Sequence, residues 1–332
     1  MLKKFPLILI ALLFLTISVT LTWGQVEWNE VWSGALNRFT GNSSTWNALL
    51  DERIPRLIVL ICSGASLAVS GAIMQSLFHN PLASPGVLGI TAGGSLCVLI
   101  VFLSGIYTTI PLTIPLAAVI GCFLSLLLVM GLAKAQGPQN TTHLILIGIA
   151  ISTLLVALQG ALVYCVRDNW ALVQIVTEWQ AGSTYNRNWE HVHMLLPLTL
   201  IGLYGAWAYR HEMNLLALGD EEARNLGVDV TPVRWRLLLC VTLLSGGALA
   251  ATGAIAFFGL VLPHLVRTLE GPNHRTLIPL CILAGGTLLP TLDNAMRVLH
   301  LQFLTIGNIS GVIGGIFFFA LLYQNHSRRV YA

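Results

Sequence analysis

Charge is what this 332-residue sequence has least of. Asp, Glu, Lys and Arg make up 9% of it, against 55% hydrophobic residues and a mean hydropathy of +0.78. Soluble domains carry roughly 25% charged residues, so a soluble fold is excluded and a polytopic membrane protein is implied. A formal charge of +3 is too small to suggest a nucleic-acid partner. Cysteine chemistry is missing too. Cys62, Cys97, Cys122, Cys165, Cys240 and Cys281 stand singly in apolar runs without a C-x-x-C pair, and read as small hydrophobes. No P-loop, H-E-x-x-H or G-x-S-x-G occurs. His191 and His193, at i and i+2, fall on different faces of a helix and make a poor metal site. Acidic residues hardly enter the apolar runs, Asp293 near the end of one being the nearest exception. A proton-coupled carrier would place Asp or Glu there as a relay. The chain is therefore expected to be no enzyme, to bind no cofactor or metal, and to carry no energy source of its own.

What the sequence has is apolar runs of near-spanning length, at 5–23, 57–78, 88–106, 111–133, 142–165, 191–209, 234–256, 258–269, 276–298 and 307–325. A helix crosses a bilayer with about 20 apolar residues, so the expected fold is all-α, with about ten transmembrane helices in one domain over 1–332. The N-terminal run is too long for a signal peptide and lacks an A-x-A-like site, so it reads as a retained first helix. Lys and Arg near the helix ends set orientation. Lys3, Lys4, Lys134, Arg210, Arg224, Arg234, Arg236, Arg267, Arg275, Arg328 and Arg329 fall on the side of the N-terminus; Arg38, Arg53, Arg56, Arg167, Arg187 and Arg297 fall on the other. Eleven against six places both termini in the cytoplasm.

The stretch Arg53–Gly89 organises the chain. Two arginines flank Pro55, an apolar run follows with Gly64, Ala68 and Gly71 at helical spacing, and a Pro/Asn/Gly-rich break, 80–86, ends it. Small residues so spaced let a second helix approach closely in lipid. Residues 64–73 read closely on 246–255, with Gly246 and Gly253 in register, and the same offset sets Pro81 on Pro263. Five helices separate the copies, so the second must cross in the opposite sense. An inverted-topology repeat with halves at about 53–166 and 234–325 is expected, an arrangement found in transporters. Gln75, Ser152, Thr153, Gln159 and Asn294 lie within apolar runs and are expected to bond neighbouring helices.

Three hydrophilic segments, 24–52, 167–190 and 210–233, offer a partner something to hold. The segment at about 211–233 looks built: Asp220 stands where an N-cap belongs, Glu221 and Glu222 follow in the first turn, and Gly227 can close a helix. A short amphipathic helix pair on the cytoplasmic face is expected. On the other face, Arg53, Arg56 and Arg297 run against the positive-inside trend and suit an acidic docking partner.

Four motifs follow in order from about Arg53 toward the C-terminus: RIPR with NPLASPGVLG, LLALGDEEARNLGV, GAIAFFGLVLPHLVR (253–267) and the run 274–279. In these the chain resembles the FecCD-type permeases. The resemblance implies a permease subunit in a bacterial inner membrane, paired with a second, identical or different permease. It implies cytoplasmic ATPases that hydrolyse ATP with magnesium, a periplasmic binding protein that delivers the substrate, and a lipid surround. The cargo implied is a ferric siderophore, with haem or vitamin B12 as alternatives; an ion-coupled secondary carrier is the reading from another class. Docking of the binding protein is implied for Arg53, Arg56 and Arg297. Contact with the ATPase is implied for Leu216, Ala217, Leu218, Gly219, Asp220, Glu221, Ala223, Leu226 and Gly227. The chain departs from the family near its end: Phe303–Gly307 reads FLTIG and 314–316 reads GGI, without the family's Glu and two prolines there. Pairing with a different permease that supplies those features is one consequence.

Overall fold

A computed structural model describes residues 4–23, 28–40, 46–135, 141–301 and 303–330, so Lys3 and parts of the 24–52 segment lie outside the described residues. Fourteen α-helices are formed there: α1 (Phe5–Thr22), α2 (Trp28–Phe39), α3 (Ile54–Leu77), α4 (Ile90–Ser104), α5 (Thr113–Ala135), α6 (Thr141–Cys165), α7 (Trp170–Gln180), α8 (Trp189–Ala208), α9 (Arg210–Leu216), α10 (Asp220–Asn225), α11 (Val230–Thr252), α12 (Phe258–Glu270), α13 (His274–Val298) and α14 (Ile306–Val330). All ten apolar runs are helical over most of their length. By length and hydropathy six of these helices can cross a membrane, or seven if α8 and α9, bent by 55°, form one span. α4 and the part of α14 from Ile306 to Ala320 are shorter apolar helices, and α12 has 13 residues.

α3 is the axis of the bundle. Pro55 sits in its first turn, where a missing N–H costs nothing, and every residue from Ser63 to Leu77 is buried. α13, α11, α12 and α8 surround it. A Cβ on Gly64 would overlap the Gly285 carbonyl of α13, and one on Gly71 would overlap Gly259 of α12. Backbones meet directly at both points, which in lipid supplies the packing that hydrophobicity cannot. Ala68, between them, is fully buried. Gln75 donates to the Leu260 carbonyl, Gln159 to that of Ala92, and Asn294 to that of Thr16, so three of the intramembrane polar residues tie helices together. Thr153 only returns to its own helix, at the Ile149 carbonyl, and the Ser152 hydroxyl has no partner among the described residues.

Helix directions follow from the contacts at each end. The start of α3 and the end of α11 both lie beside residues 179–184, through Arg56 with Thr184 and Gly253 against Trp179. Their opposite ends, at His79 and Arg234, line one cleft with Asp220. The two repeat helices therefore run antiparallel. α1 begins and α14 ends at the Asp220 end, since Leu21 and Ile306 lie at the Arg56 end.

Two expected features differ. The run 234–256 leaves the helix at Thr252: Gly253 has φ +70°, 254–257 are not helical, and Phe257 has φ +65°. A Cβ at Gly253 would overlap the Trp179 carbonyl, so α7 abuts the chain there and ends the helix. Gly253 thus ends α11 where that helix abuts α7, and Gly246 packs against Val119 of α5. The segments 24–52 and 167–190 contain helices of their own, α2 and α7, and a π-helical turn, Ala48–Arg53, capped by the Asn47 side chain. The break between α11 and α12 meets residues 84–87 around a cavity of about 320 Å³. Non-helical backbone at membrane depth is tolerated where it lines such a space.

Candidate functional site

The two polar ends of the bundle hold the candidate residues. At the Arg56 end, Arg53 does not face outward. It is 6% exposed and donates to the Leu21 carbonyl at 2.6 Å, one of the last-turn carbonyls of α1 that lack an intrahelical partner. Its charge also suits the negative end of that helix. Arg56 is committed inside the chain as well. Its guanidinium lies 2.7 Å from Asp293 of α13, which is 2% exposed, and 3.4 Å from the Thr184 hydroxyl. Thr184 donates to the same carboxylate oxygen at 2.8 Å. Arg297, one turn beyond Asp293, is half-buried and makes no ion pair among the described residues.

Arg56, Thr184, Asp293 and Arg297 line a cleft of about 400 Å³ whose walls also carry Glu52, Glu178, Tyr185, Phe303 and Thr305. The α7–α8 connection builds one wall. Gly182 accepts from Gly307 and Ala181 from Thr305, so the FLTIG segment is seated on it without the family's Glu or prolines. Arg187 stands on the same connection, bonded to the Ser183 carbonyl and His191. Burial pulls its guanidinium down to about 10; Glu178 opposes this and Arg56 adds to it. His193 stacks on Trp189 instead, so the two histidines diverge. Nothing in the sequence marks Thr184 or Arg187 as neighbours of Arg56, because their proximity depends on how α7 folds back.

At the Asp220 end the segment 211–233 folds as the helix pair α9–α10. Met213, Leu216 and Ala223 are buried beneath it, while Leu218 and Leu226 stay exposed on its surface. Asp220 is not the N-cap. Gly219, at φ +120°, takes that position, and Asp220 instead accepts from Arg234 of α11 at 2.7 and 3.0 Å, which pins the start of α10 to a long helix. Glu221 stays in the first turn. Gly227 has φ +86°; its N–H reaches the Arg224 carbonyl and that of Val228 reaches Ala223, a Schellman closure. Leu216, Ala217, Leu218 and Gly219 bridge the two helices.

α9 is clasped to the core by bonds that spacing alone does not reveal. Ser76 donates to the Met213 carbonyl, and the His79 ring nitrogen lies 2.7 Å from the Leu216 carbonyl. Asn214 bonds Asn273, and its side-chain oxygen accepts from the backbone of His274. The helix pair is therefore fixed to the ends of both α3 and α13. The same two helices carry Arg56 and Asp293 at their other ends.

A profile of the FecCD transport family matches residues 8–324. The hemin transport system permease HmuU of Yersinia pestis is 37% identical over 301 residues, 87% of this chain and 86% of the relative. The vitamin B12 import permease BtuC of Vibrio vulnificus is 39% identical over 297 residues, 88% and 87% of the two chains. The Fe(3+) dicitrate permease FecD of Escherichia coli is 35% identical over 294 residues, 88% and 90%. A solved inward-facing metal-chelate type ABC transporter superposes with a TM-score of 0.80 at 28% identity, over 97% of this chain and 99% of that one. Profile, relatives and fold agree along nearly the whole chain, which belongs to the FecCD transport family of ABC-importer permeases.

Proposed function

We propose that this chain is one of two permease subunits of a binding-protein-dependent importer that carries a ferric siderophore into the cytoplasm. A substrate-binding protein docks at the Arg56 end through Arg297 and Arg56, with Arg53 acting as the clasp of α1. ATPase subunits seat on Leu218, Leu226 and the α9–α10 surface, and ATP and magnesium bind to them alone. Closing of the ATPases moves α9–α10; because α3 and α13 are clasped to that pair, the displacement reaches the far end. Differential contact with the two states, supplied by ATP on the partner, is what shifts the equilibrium. The observation that carries this reading is the junction of both polar ends by the same two buried helices.

The iron dicitrate relative supports a ferric chelate, while the hemin and vitamin B12 relatives support haem or cobalamin equally. Inside-out membrane vesicles distinguish these: extrusion or uptake is followed with a labelled ferric siderophore, haem and cobalamin, with ATP and with a protonophore. Transport of the siderophore that follows ATP and ignores collapse of the proton gradient is expected. Transport that follows the gradient would favour an ion-coupled carrier, and transport of haem or cobalamin alone would move the substrate assignment.

A further inference from the structure

Among the described residues Asp293 is the only carboxylate that is buried. Its pairing is incomplete. Oδ1 receives both Arg56 and Thr184, whereas Oδ2 is buried and receives nothing. Arg56 is incomplete on the other side: one terminal nitrogen reaches Asp293, and Nε is buried without a partner. A guanidinium and a carboxylate can form two parallel hydrogen bonds; here they form one. Desolvation of a buried pair is repaid only when geometry is good and the remaining lone pairs and protons are satisfied. This pair leaves Oδ2 and Nε unsatisfied, so it adds little over an apolar replacement, although removing one partner alone strands a buried charge.

Position makes that incompleteness useful. The pair lines the same cleft as Arg297, Glu52 and Glu178. A carboxylate entering the cleft meets Arg297, which forms no ion pair among the described residues, and Arg56, which already holds Asp293.

We propose that Asp293 is a positioning residue for docking, an internal substitute for the binding protein's carboxylate that holds Arg56 until the incoming carboxylate displaces it. The inference rests on the docking role proposed above for Arg56 and Arg297. No proton moves and no bond other than hydrogen bonds changes. Arg56 exchanges one carboxylate for another, and Asp293 keeps the Thr184 hydroxyl and has Arg297 on the next turn of α13. Docking strength is then set by a competition inside the permease as well as by the facing surfaces.

The test measures affinity of the intact transporter in nanodiscs for the binding protein that supports its uptake, at two salt concentrations. The variants are Arg56→Gln, Asp293→Asn, Asp293→Glu and the Arg56→Gln/Asp293→Asn double. Removing the internal competitor is expected to tighten binding by Asp293→Asn roughly tenfold, a coupling within the range of interfacial charge pairs. Asp293→Glu is expected to restore the wild-type affinity. Arg56→Gln is expected to weaken binding, and the double variant to match it, since Asp293 acts only through Arg56. A structural role alone would weaken binding or leave it unchanged in Asp293→Asn, and that result, with Arg56→Gln weakened, overturns the inference. Unchanged binding in Arg56→Gln overturns the docking reading and the inference with it. If Asp293→Asn does not assemble, Thr184→Val removes the donor that Asp293 keeps once Arg56 leaves. A several-fold loss of affinity is then expected, with Thr184→Ser restoring it, and no loss overturns the inference.

Discussion

The two ends of this bundle are held by opposite kinds of chemistry. At the Arg56 end the tie between α3 and α13 is ionic, buried and short of partners, with Arg187 and Arg297 close by. At the Asp220 end the ties to α3 and α13 are hydrogen bonds, most of them to backbone groups, and the one ion pair there among the described residues, Asp220 with Arg234, is part-exposed. Neutral bonds to backbone survive a change of partner outside the chain, and suit a joint that transmits displacement. A dry, under-satisfied ion pair responds strongly to a new charge, because the local dielectric is low. One end is built to hold and the other to respond.

The sharpest way to break this comparison is to remove one member of the ion pair at each end. Arg56→Ala leaves Asp293 buried without its partner and is expected to cost about 3–5 kcal/mol. Asp220→Ala, at a half-exposed pair, is expected to cost about 0.2–1 kcal/mol. Thermal unfolding in one detergent measures both, and equal losses would remove the distinction. Next in size is the rod between the ends. Gly64→Ala places a Cβ on the Gly285 carbonyl and is expected to cost about 1–3 kcal/mol by overpacking. Gly311→Ala, where a Cβ meets nothing within 4 Å of its own chain, is expected to leave the isolated subunit unchanged. Smaller still is the clasp itself. Asn214→Ala removes bonds to Asn273 and His274 and is expected to cost about 0.5–1.5 kcal/mol per bond. Its larger effect is expected on coupling, read as substrate moved per ATP hydrolysed in proteoliposomes.

Much of the fold could be read in the sequence because the membrane leaves few alternatives. Apolar length marks the ten helices, and the Gly64–Gly71 stripe marks the face of closest approach. Breaks were harder. Residues 253–256 are as apolar as the helix before them, and only the Trp179 carbonyl, brought there by α7, ends α11 at Thr252. The site residues divide in the same way. The helix pair 210–225 was legible from its acidic first turn and Gly227, which act locally. Asp220 was misread as a cap because its partner, Arg234, lies on the next long helix. Arg53 and Arg56 were visible as charges at a helix mouth, but their partners, Leu21 and Asp293, are 32 and 237 residues away. Spacing cannot report such pairings.

Photo-crosslinking from single positions tests most directly that these two ends are the docking and coupling surfaces. A photoreactive residue is placed at Arg297 in one variant and at Leu218 in another, in cells that carry the whole transporter. The expected result is a crosslink from 297 to the substrate-binding protein and from 218 to the ATPase subunit. A crosslink from 297 to the ATPase, or from 218 to the binding protein, would contradict the assignment of both ends.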